Sequence, residues 1–344
     1  MSAEIHVLAG AERRRARMAG DFAAAVLAGL SDQPKRLSSR YFYDDEGSAL
    51  FARLCGEPAY YPPRCERAIL QAHGEELCAR MGEGAWLLVD LGAGDGHKTR
   101  LLLDPLAARA TPVRYAPIDI SEGAIRDLVA RTSGELPALE VSALVGDYDE
   151  GLAWLQERHP DERKLVLFLG STIGNFRRPE ARAFLWRLRQ ACAPGDRLLI
   201  GFDLKKDLEV LRAAYNDPAG ISAAFNRNLL LRINRELGAD FQPERFQHFA
   251  SYNVDSGAME SCLLSLEPQI VRAPGLGTSF HFADHEPLHL EFSYKFLRSD
   301  IEELAMAAGF TIEAQWLDER GWFVDSLWRV ESAGRFRASV PGSR

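Results

Sequence analysis

The chain has few cysteines, and the five that it has do not form a pattern. They are scattered through 344 residues without a single Cys-x-x-Cys pair. Closely and regularly spaced cysteines are typical of disulfide-rich secreted domains and of structural zinc sites. The sequence therefore predicts reduced thiols, no structural metal and a cytoplasmic location.

Long apolar runs and an excess of basic residues are also missing. No stretch approaches the roughly 18 apolar residues of a membrane-spanning helix, and the N-terminal segment lacks the apolar core of a signal peptide. Acidic residues outnumber Lys and Arg by 49 to 41, which gives a formal charge of −8. Because nucleic-acid-binding proteins concentrate surplus Lys and Arg, we expect no nucleic-acid partner, no membrane association and a monomer that acts on a small molecule.

What the chain does have is a regular alternation of strands and helices from residue 63 onward. Apolar strands are predicted at 85–90, 113–120, 139–147, 164–170 and 196–204, and helices at 97–108, 122–132 and 179–191. Strands that are apolar on both faces and alternate with helices are typical of a parallel sheet with helices on both sides. The predicted fold class is α/β, with a doubly wound, Rossmann-like sheet.

This alternation stops near residue 206. Two predicted helices, 205–215 and 219–236, lead into long alternating strands at 245–255, 259–273 and 287–296. These strands read as antiparallel hairpins, an α+β insertion in the first architecture. A helix at 299–308 and strands at 310–318 and 322–330 then return the chain to the original sheet.

A glycine-rich stretch follows the first apolar strand, in LLVDLGAGDGHKTR (87–100). A P-loop would need Gly-Lys-Ser/Thr, and a dinucleotide fingerprint would need a third glycine where His97 stands. The spacing Asp90-x-Gly92-x-Gly94-x-Gly96 instead resembles the first motif of the class I S-adenosylmethionine methyltransferases. An acid at this position suits a ligand that carries an amino group and a sulfonium. A purely structural tight turn is the alternative.

Two further carboxylates are predicted at the ends of the next two strands. Asp119 ends a strand 27 residues after Gly92, where a carboxylate can accept both ribose hydroxyls of a nucleoside. Asp147 and Tyr148 follow the third strand, where an acid can accept from an adenine amino group and a ring can cover the base. Gly-Asp-Tyr alone is more typical of a turn. Taken together, the strand ends predict one nucleoside-binding crevice.

Over about 36–330 the chain resembles the L-histidine Nα-methyltransferases of ergothioneine biosynthesis, a family of class I methyltransferases. The resemblance rests on the order and spacing of several long strings. These are RYFYDDEGSALF (40–51), EPAYYPPRCERAIL (57–70), LGAGDGHKTRLLL (91–103), LFLGSTIGNF (167–176), GFDLKKD (201–207), AAYNDPAGISAAFNRNLL (213–230) and LEFSYKF (290–296).

The resemblance implies an S-adenosylmethionine site and an amino-acid site. The cofactor site would comprise Gly92, Gly94, Lys98, Asp119, Asp147, Tyr148 and one of Tyr60 and Tyr61. In the amino-acid site, Asn175 and Tyr215 would hold the substrate carboxylate and act in catalysis with Tyr43, which reaches the substrate through water. Glu291 and Ser293 would hold the imidazole ring, with Gly170 nearby.

The residue types agree with these implied roles, although each has a simpler interpretation. Glu291 and Ser293 are two apart on a predicted strand, so they share a face and can bond two ring nitrogens. As a bare pattern, Glu-x-Ser is more often a solvated strand face. Asn175 follows a strand and a glycine-containing turn, where it could equally cap the next helix.

A histidine-rich segment, HFADHEPLH (281–289), resembles a metal-binding pattern. On a helix its three histidines would align, but Pro287 interrupts any such helix and the flanking residues read as strands. We expect exposed loop histidines and no metal.

The resemblance implies transfer of methyl groups to the α-amino nitrogen of L-histidine, giving N,N,N-trimethylhistidine (hercynine). An Nα-methyltransferase of another amino acid and a non-catalytic nucleoside-binding partner protein stay open as alternatives. The domains are predicted as a cofactor domain at 66–205 and 296–332, a discontinuous substrate domain at 12–65 and 206–295, and a flexible tail at 333–344.

Overall fold

The structure, a computed structural model, describes residues 3–7 and 11–331. The predicted tail at 333–344 lies outside the described residues. The helices of the described residues are α1 (Ala11–Ser31), α2 (Asp45–Cys55), α3 (Pro62–Met81), α4 (His97–Ala108), α5 (Glu122–Glu135), α6 (Tyr148–Arg158), α7 (Arg178–Gln190), α8 (Leu208–Tyr215), α9 (Ile221–Leu237) and α10 (Arg298–Ala308). Its strands are β1 (Ala3–Val7), β2 (Trp86–Leu91), β3 (Val113–Asp119), β4 (Glu140–Val145), β5 (Lys164–Phe168), β6 (Arg197–Asp203), β7 (Phe246–Asn253), β8 (Ala258–Ser265), β9 (Gln269–Ala273), β10 (Thr278–Phe282), β11 (Pro287–Tyr294), β12 (Phe310–Leu317) and β13 (Phe323–Val330).

The central sheet has eight strands in the order β1-β4-β3-β2-β5-β6-β13-β12. The first six are parallel to their neighbours, and β13 runs antiparallel to both β6 and β12. The chain reverses its direction of travel across the sheet between β2 and β5. Loops after those two strands diverge there, which opens a crevice at the carboxyl edge of the sheet.

Helices cover both faces of this sheet because its central strands are apolar on both sides. All six residues of β2 are buried. One hydrophobic cluster joins one face of the sheet to α6, α7 and α10, and a second joins the other face to α3, α4 and α5. This arrangement confirms the predicted α/β fold with a doubly wound sheet.

A third hydrophobic cluster lies apart from the sheet and is built from two distant parts of the chain. Phe22 and Phe42 from the N-terminal region pack with Phe225, Phe246 and Leu288 of the insertion. The insertion contains the three-stranded antiparallel sheet β11-β8-β7 and the hairpin β9-β10. The two chain regions thus share one core.

The strand β11 contains a β-bulge at Leu290. His289 pairs with Cys262 of β8 and Glu291 pairs with the next residue, Ser261, so Leu290 has no partner on β8. The extra residue puts Glu291 on the face of the strand opposite to His289, although the two are two residues apart. Glu291 and Ser293 thereby share the face of the buried Met259.

Most predicted elements match the structure, and α4 does so residue for residue. Four elements are missing from the prediction: β1, α2, α6 and β10. In addition, the predicted strand 259–273 is divided into β8 and β9 by a turn at Leu266–Pro268. The helix α6 matters for the site because it begins at Tyr148 and is capped by Asp147.

Candidate functional site

The loop between β2 and α4 forms the floor of the crevice. Gly92, Gly94 and Gly96 have φ angles of 77°, 55° and 66°, values that residues with a Cβ rarely adopt. A Cβ on Gly92 would lie 3.1 Å from the hydroxyl oxygen of Tyr148. The loop thus exposes bare backbone at the N-terminus of a helix, which is the environment that the charged end of a cofactor requires.

The Asp119 carboxylate is fixed at the end of β3, beside this loop. Its Oδ2 accepts the backbone N–H of Gly94 at 3.0 Å, and its Oδ1 accepts that of Ser121 at 2.9 Å. The first bond ties the carboxylate directly to the glycine loop. The predicted ribose acceptor and the predicted glycine loop are therefore neighbours.

Asp147 and Tyr148 lie at the end of the third strand, as predicted. Asp147 Oδ1 accepts the N–H of Glu150, and Glu150 accepts the N–H of Asp147, both at 2.9 Å. These capping bonds fix the position of the Asp147 carboxylate, and its role in binding stays a prediction. The Tyr148 ring packs edge-on against Phe168 with its hydroxyl toward Gly92.

The Asp90 carboxylate is buried next to this loop, and the suggestion that it suits a cationic ligand stays a prediction. It is 3% exposed and accepts hydrogen bonds from the hydroxyls of Thr99 and Tyr115. Burial raises the pKa of Asp90 to about 6, against the effect of these two bonds. These two bonds connect β2 to α4 and β3, and so stabilise the glycine loop between β2 and α4.

Lys98 and Gly170 meet at a buried acidic cluster beneath the crevice. Glu66 of α3 is fully buried; it accepts the Lys98 ammonium and the N–H of Gly170, the latter at 2.6 Å. Asp325 of β13 is also fully buried, and neither of its oxygens has a hydrogen-bond partner among the described residues. Burial and the Glu66 charge raise the pKa of Asp325 well above its usual range.

Asn175 ends a short 3₁₀ helix, Thr172–Asn175, between β5 and α7. The next helix is capped instead by Arg177 and Glu180, whose carboxylate accepts the Arg177 N–H at 2.9 Å, so Asn175 does not serve as the helix cap. A Cβ on Gly174 would lie 2.9 Å from the carbonyl oxygen of Tyr294. This close backbone approach holds Asn175 against β11.

The Ser293 hydroxyl takes part in a triangle of hydrogen bonds. The Tyr215 hydroxyl lies 2.7 Å from Ser293 Oγ, and the Lys295 ammonium donates to both hydroxyl oxygens, at 2.8 Å to Tyr215 and 2.9 Å to Ser293. Lys295 also pairs with Asp203 at 2.8 Å, and its side chain is fully buried. The triangle joins α8 to β11.

Glu291 lies on the same strand face but has no hydrogen-bond partner among the described residues. Burial raises its pKa to about 7, and the Lys295 charge opposes this effect. Its negative charge in turn raises the pKa of the hydroxyls of Tyr43, Tyr60 and Tyr215. Glu291 therefore faces these three tyrosines.

The two adjacent tyrosines Tyr60 and Tyr61 point in different directions. Tyr60 packs edge-on with Tyr215 and with Phe51, which in turn contacts Tyr43. Tyr61 is 2% exposed, and its hydroxyl is bonded to Asp203. Of the two, Tyr60 is the one whose ring lies among the predicted substrate residues.

The structure also includes residues that the sequence analysis missed. Asp203 is fully buried and accepts from Lys295, Lys206 and Tyr61, which balances the charges beneath the substrate residues. The sequence does carry a signal for Lys295, because Glu291, Ser293 and Lys295 are spaced two residues apart in one predicted strand. Asp203 lies near the end of the predicted strand 196–204 and Lys206 lies just after it, where no sequence pattern indicates that polar side chains are buried.

Within residues 3–7 and 11–331, no group of three or more His, Cys, Asp or Glu side chains could hold a metal ion. None of the helices described in that part of the chain is long and apolar enough to cross a membrane. All five cysteines have free thiols.

Comparisons with known proteins agree with this geometry. Residues 22–330 match the family model described as histidine-specific, SAM-dependent methyltransferase. A histidine N-alpha-methyltransferase of Mycolicibacterium smegmatis is 40% identical over 90% of this chain and 97% of its own, and one of Mycobacterium tuberculosis is 39% identical over 88% and 92%. An L-tryptophan methyltransferase of Psilocybe serbica is 28% identical over 87% and 90%. The chain belongs to the family of histidine-specific, S-adenosylmethionine-dependent methyltransferases.

Proposed function

We propose that this protein transfers methyl groups from S-adenosylmethionine to the α-amino nitrogen of L-histidine, up to the trimethylated product. The observation that carries the proposal is the pairing of Glu291 and Ser293 on one face of β11, beside Tyr215. A carboxylate without a partner next to a hydroxyl suits a ring with two nitrogens. An apolar ring would leave the Glu291 carboxylate unpaired, at a cost of about 1–3 kcal/mol.

In this proposal the crevice after β2, β3 and β4 holds the cofactor. Gly92 and Gly94 leave room for its amino-acid end, and Asp119 accepts the ribose hydroxyls. The remaining contacts are Lys98 near the methionine carboxylate, Asp147 and Tyr148 at the adenine, and Tyr60 at the sulfonium. When bound, the cofactor supplies an electrophilic methyl group; the protein supplies position and a dry pocket.

The amino-acid substrate is proposed to lie between the 3₁₀ helix and β11. Asn175 and Tyr215 hold its carboxylate, while Gly170 and Tyr43 border the amino group. The close packing of Gly174 on Tyr294 supports this arrangement, since it brings Asn175 beside the strand that bears Glu291. A substrate fixed at its carboxylate and its ring leaves the nitrogen free to turn between successive transfers.

The amine must be neutral to attack the methyl group, and the pocket favours the neutral form by excluding water. Tyr43 does not act as a phenolate base at neutral pH, because burial and the charge of Glu291 raise its pKa well above the usual range. Its neutral hydroxyl can position the amine and pass the released proton to water. Methyl transfer therefore depends on alignment more than on a strong base.

We also propose that the regions 12–65 and 206–295 form one substrate domain around the cofactor domain at 66–205 and 296–332. The hydrophobic core shared by Phe42 and Phe225 supports this division. We propose further that the protein is a cytoplasmic monomer that binds no nucleic acid. Free thiols and an acidic balance of charge support it.

Mass spectrometry after incubation with methyl-labelled S-adenosylmethionine and single amino acids tests the function. We expect labelled mono-, di- and trimethylhistidine, and at most trace labelling of phenylalanine and tryptophan. Replacement of the pair by Glu291→Leu and Ser293→Ala should raise the KM for histidine by about 10²-fold or more while cofactor affinity is retained. Efficient labelling of tryptophan by the unaltered protein would support the alternative substrate, and no labelling at all would contradict an enzymatic function.

A further inference from the structure

Lys295 uses its whole hydrogen-bonding capacity on three neighbours. Its ammonium contacts Asp203 Oδ2 at 2.8 Å, the Tyr215 hydroxyl at 2.8 Å and Ser293 Oγ at 2.9 Å. An ammonium group has three N–H donors and no acceptor, so none is left for a ligand. Burial of the side chain excludes water from these bonds.

The two hydroxyls held by Lys295 can offer a ligand only one proton. Their oxygens lie 2.7 Å apart, a distance that requires one hydroxyl proton between them. The other proton is left over. If Tyr215 donates to Ser293, the free proton is on Ser293; if Ser293 donates to Tyr215, it is on Tyr215.

We propose that Lys295 is a positioning residue that couples the two ends of the histidine substrate and selects the imidazolium form of its ring. This inference rests on the proposed function, in which Tyr215 binds the substrate carboxylate. A carboxylate accepts only, so Tyr215 must give it the free proton. Ser293 then donates to Tyr215 and presents only a lone pair to the ring.

The ring consequently meets two acceptors, the Ser293 oxygen and the Glu291 carboxylate. A neutral imidazole has one N–H and one bare nitrogen, so it would place a lone pair against an acceptor. An imidazolium donates to both. The ring charge is offset by Glu291, because Asp203 already pairs with Lys295 and Lys206.

The other titratable groups that face Glu291 are the hydroxyls of Tyr43, Tyr60 and Tyr215, which are neutral because burial raises their pKa values. Glu260 of the neighbouring strand β8 pairs with Phe292 and so lies on the opposite face. Glu291 itself has a pKa of about 7, so at about pH 8 it is mostly ionised before the ligand binds and presents an acceptor to the ring.

Calorimetry with 3-(imidazol-4-yl)propanoate tests this inference. This ligand keeps the carboxylate and the ring but lacks the amine, whose own titration would obscure the count. Titrations into the S-adenosylhomocysteine complex at about pH 8, in phosphate and in Tris, give the number of protons bound per ligand. The free ring is neutral at that pH, so the unaltered protein should take up about one proton.

Two variants test which residues are responsible for the proton uptake. Lys295→Met removes the ammonium that holds the two hydroxyls together, which lets Ser293 donate to the ring. Proton uptake should then fall below about half a proton per ligand, and affinity for the ligand should fall about tenfold or more. Lys205→Met is the matched control and should behave as the unaltered protein, because the Lys205 side chain lies near Gly257 and not at the triangle. Ser293→Ala leaves the Lys295–Asp203 pair in place and should also lower uptake, which decides the matter if Lys295→Met does not fold.

Binding without proton uptake in the unaltered protein would overturn the inference, and so would full uptake in both Lys295→Met and Ser293→Ala. Either result leaves the proposed function standing if histidine is still methylated. Failure of both this ligand and histidine to bind would instead overturn the proposed function, and the inference with it.

Discussion

The Tyr61 hydroxyl lies 2.7 and 2.8 Å from the two carboxylate oxygens of Asp203, 142 residues along the chain. Lys206 donates to the same hydroxyl at 2.7 Å. The oxygen thus connects the start of α3 to the end of β6, and its proton is already shared with Asp203 and not available to a ligand. Its neighbour Tyr60 has no such bond and packs with Tyr215.

This difference predicts opposite results for two matched variants. Tyr61→Phe should lower the free energy of unfolding by about 1–3 kcal/mol, because Asp203 and Lys206 lose a buried partner. Tyr60→Phe should leave stability within about 0.5 kcal/mol and change the kinetics instead. Urea denaturation and steady-state assays of both variants measure the two effects. The reverse result would mean that Tyr61 is the residue at the cofactor.

Asp119 should contribute strongly to cofactor binding. Asp119→Ala removes an acceptor for the ribose and also the bond that orients Gly94, so affinity for S-adenosylhomocysteine should fall about 5- to 150-fold. Asp127→Ala, an exposed position on the following helix, is the control and should bind normally. Calorimetry measures both. Equal affinities would place the cofactor elsewhere.

Glu291 should make the protein less stable as pH rises. Its pKa is raised from 4.5 to about 7 in the folded state, so the folded state binds more protons between those values. The contribution of Glu291 to the free energy of unfolding is therefore fully present below about pH 4.5 and is lost as the pH rises through about 7. Glu291→Gln should gain about 1–3 kcal/mol relative to the unaltered protein between about pH 5 and pH 8. The control Glu302→Gln, on an exposed helix face, should show no such pH dependence in urea denaturation.

The contact between Gly174 and Tyr294 should be intolerant of a methyl group. In Gly174→Ala the new Cβ meets a backbone oxygen at 2.9 Å, so the 3₁₀ helix must shift and carry Asn175 with it. We expect a loss of about 1–3 kcal/mol in stability and a higher KM for histidine. Gly134→Ala, which adds a methyl in open space on α5, should be neutral or slightly stabilising. Equal kinetics for the two variants would mean that Asn175 does not bind substrate.

The sequence predicted the central sheet well because its signal is local. Every residue of β2 is buried on both faces, and a glycine loop and a helix follow at once, so composition alone marks the elements. β1 and β10 include exposed residues, so neither has the continuous apolar run that marks β5, a strand of the same length. Their strand conformation comes from pairing with β4 and β9.

Side-chain direction was the part that could not be predicted. The motif spacing identifies Asp90 but cannot tell that Thr99 and Tyr115 hold its carboxylate below the loop. Likewise Asp203 and Lys295 are 92 positions apart, and only the folded chain brings their charges together away from water. The individual roles of the predicted site residues stay predictions.

The unpaired Leu290 divides β11 into two sections that can change separately over evolution. In the first section, His289 exchanges backbone bonds with Lys35 and Leu37, which anchors the strand to the N-terminal region. In the second, Glu291 and Ser293 face the opposite side. Because alternation restarts at the bulge, the anchoring residues can change without altering the direction of Glu291 and Ser293. If these two residues bind the substrate as proposed, substrate preference and attachment of the strand can change independently.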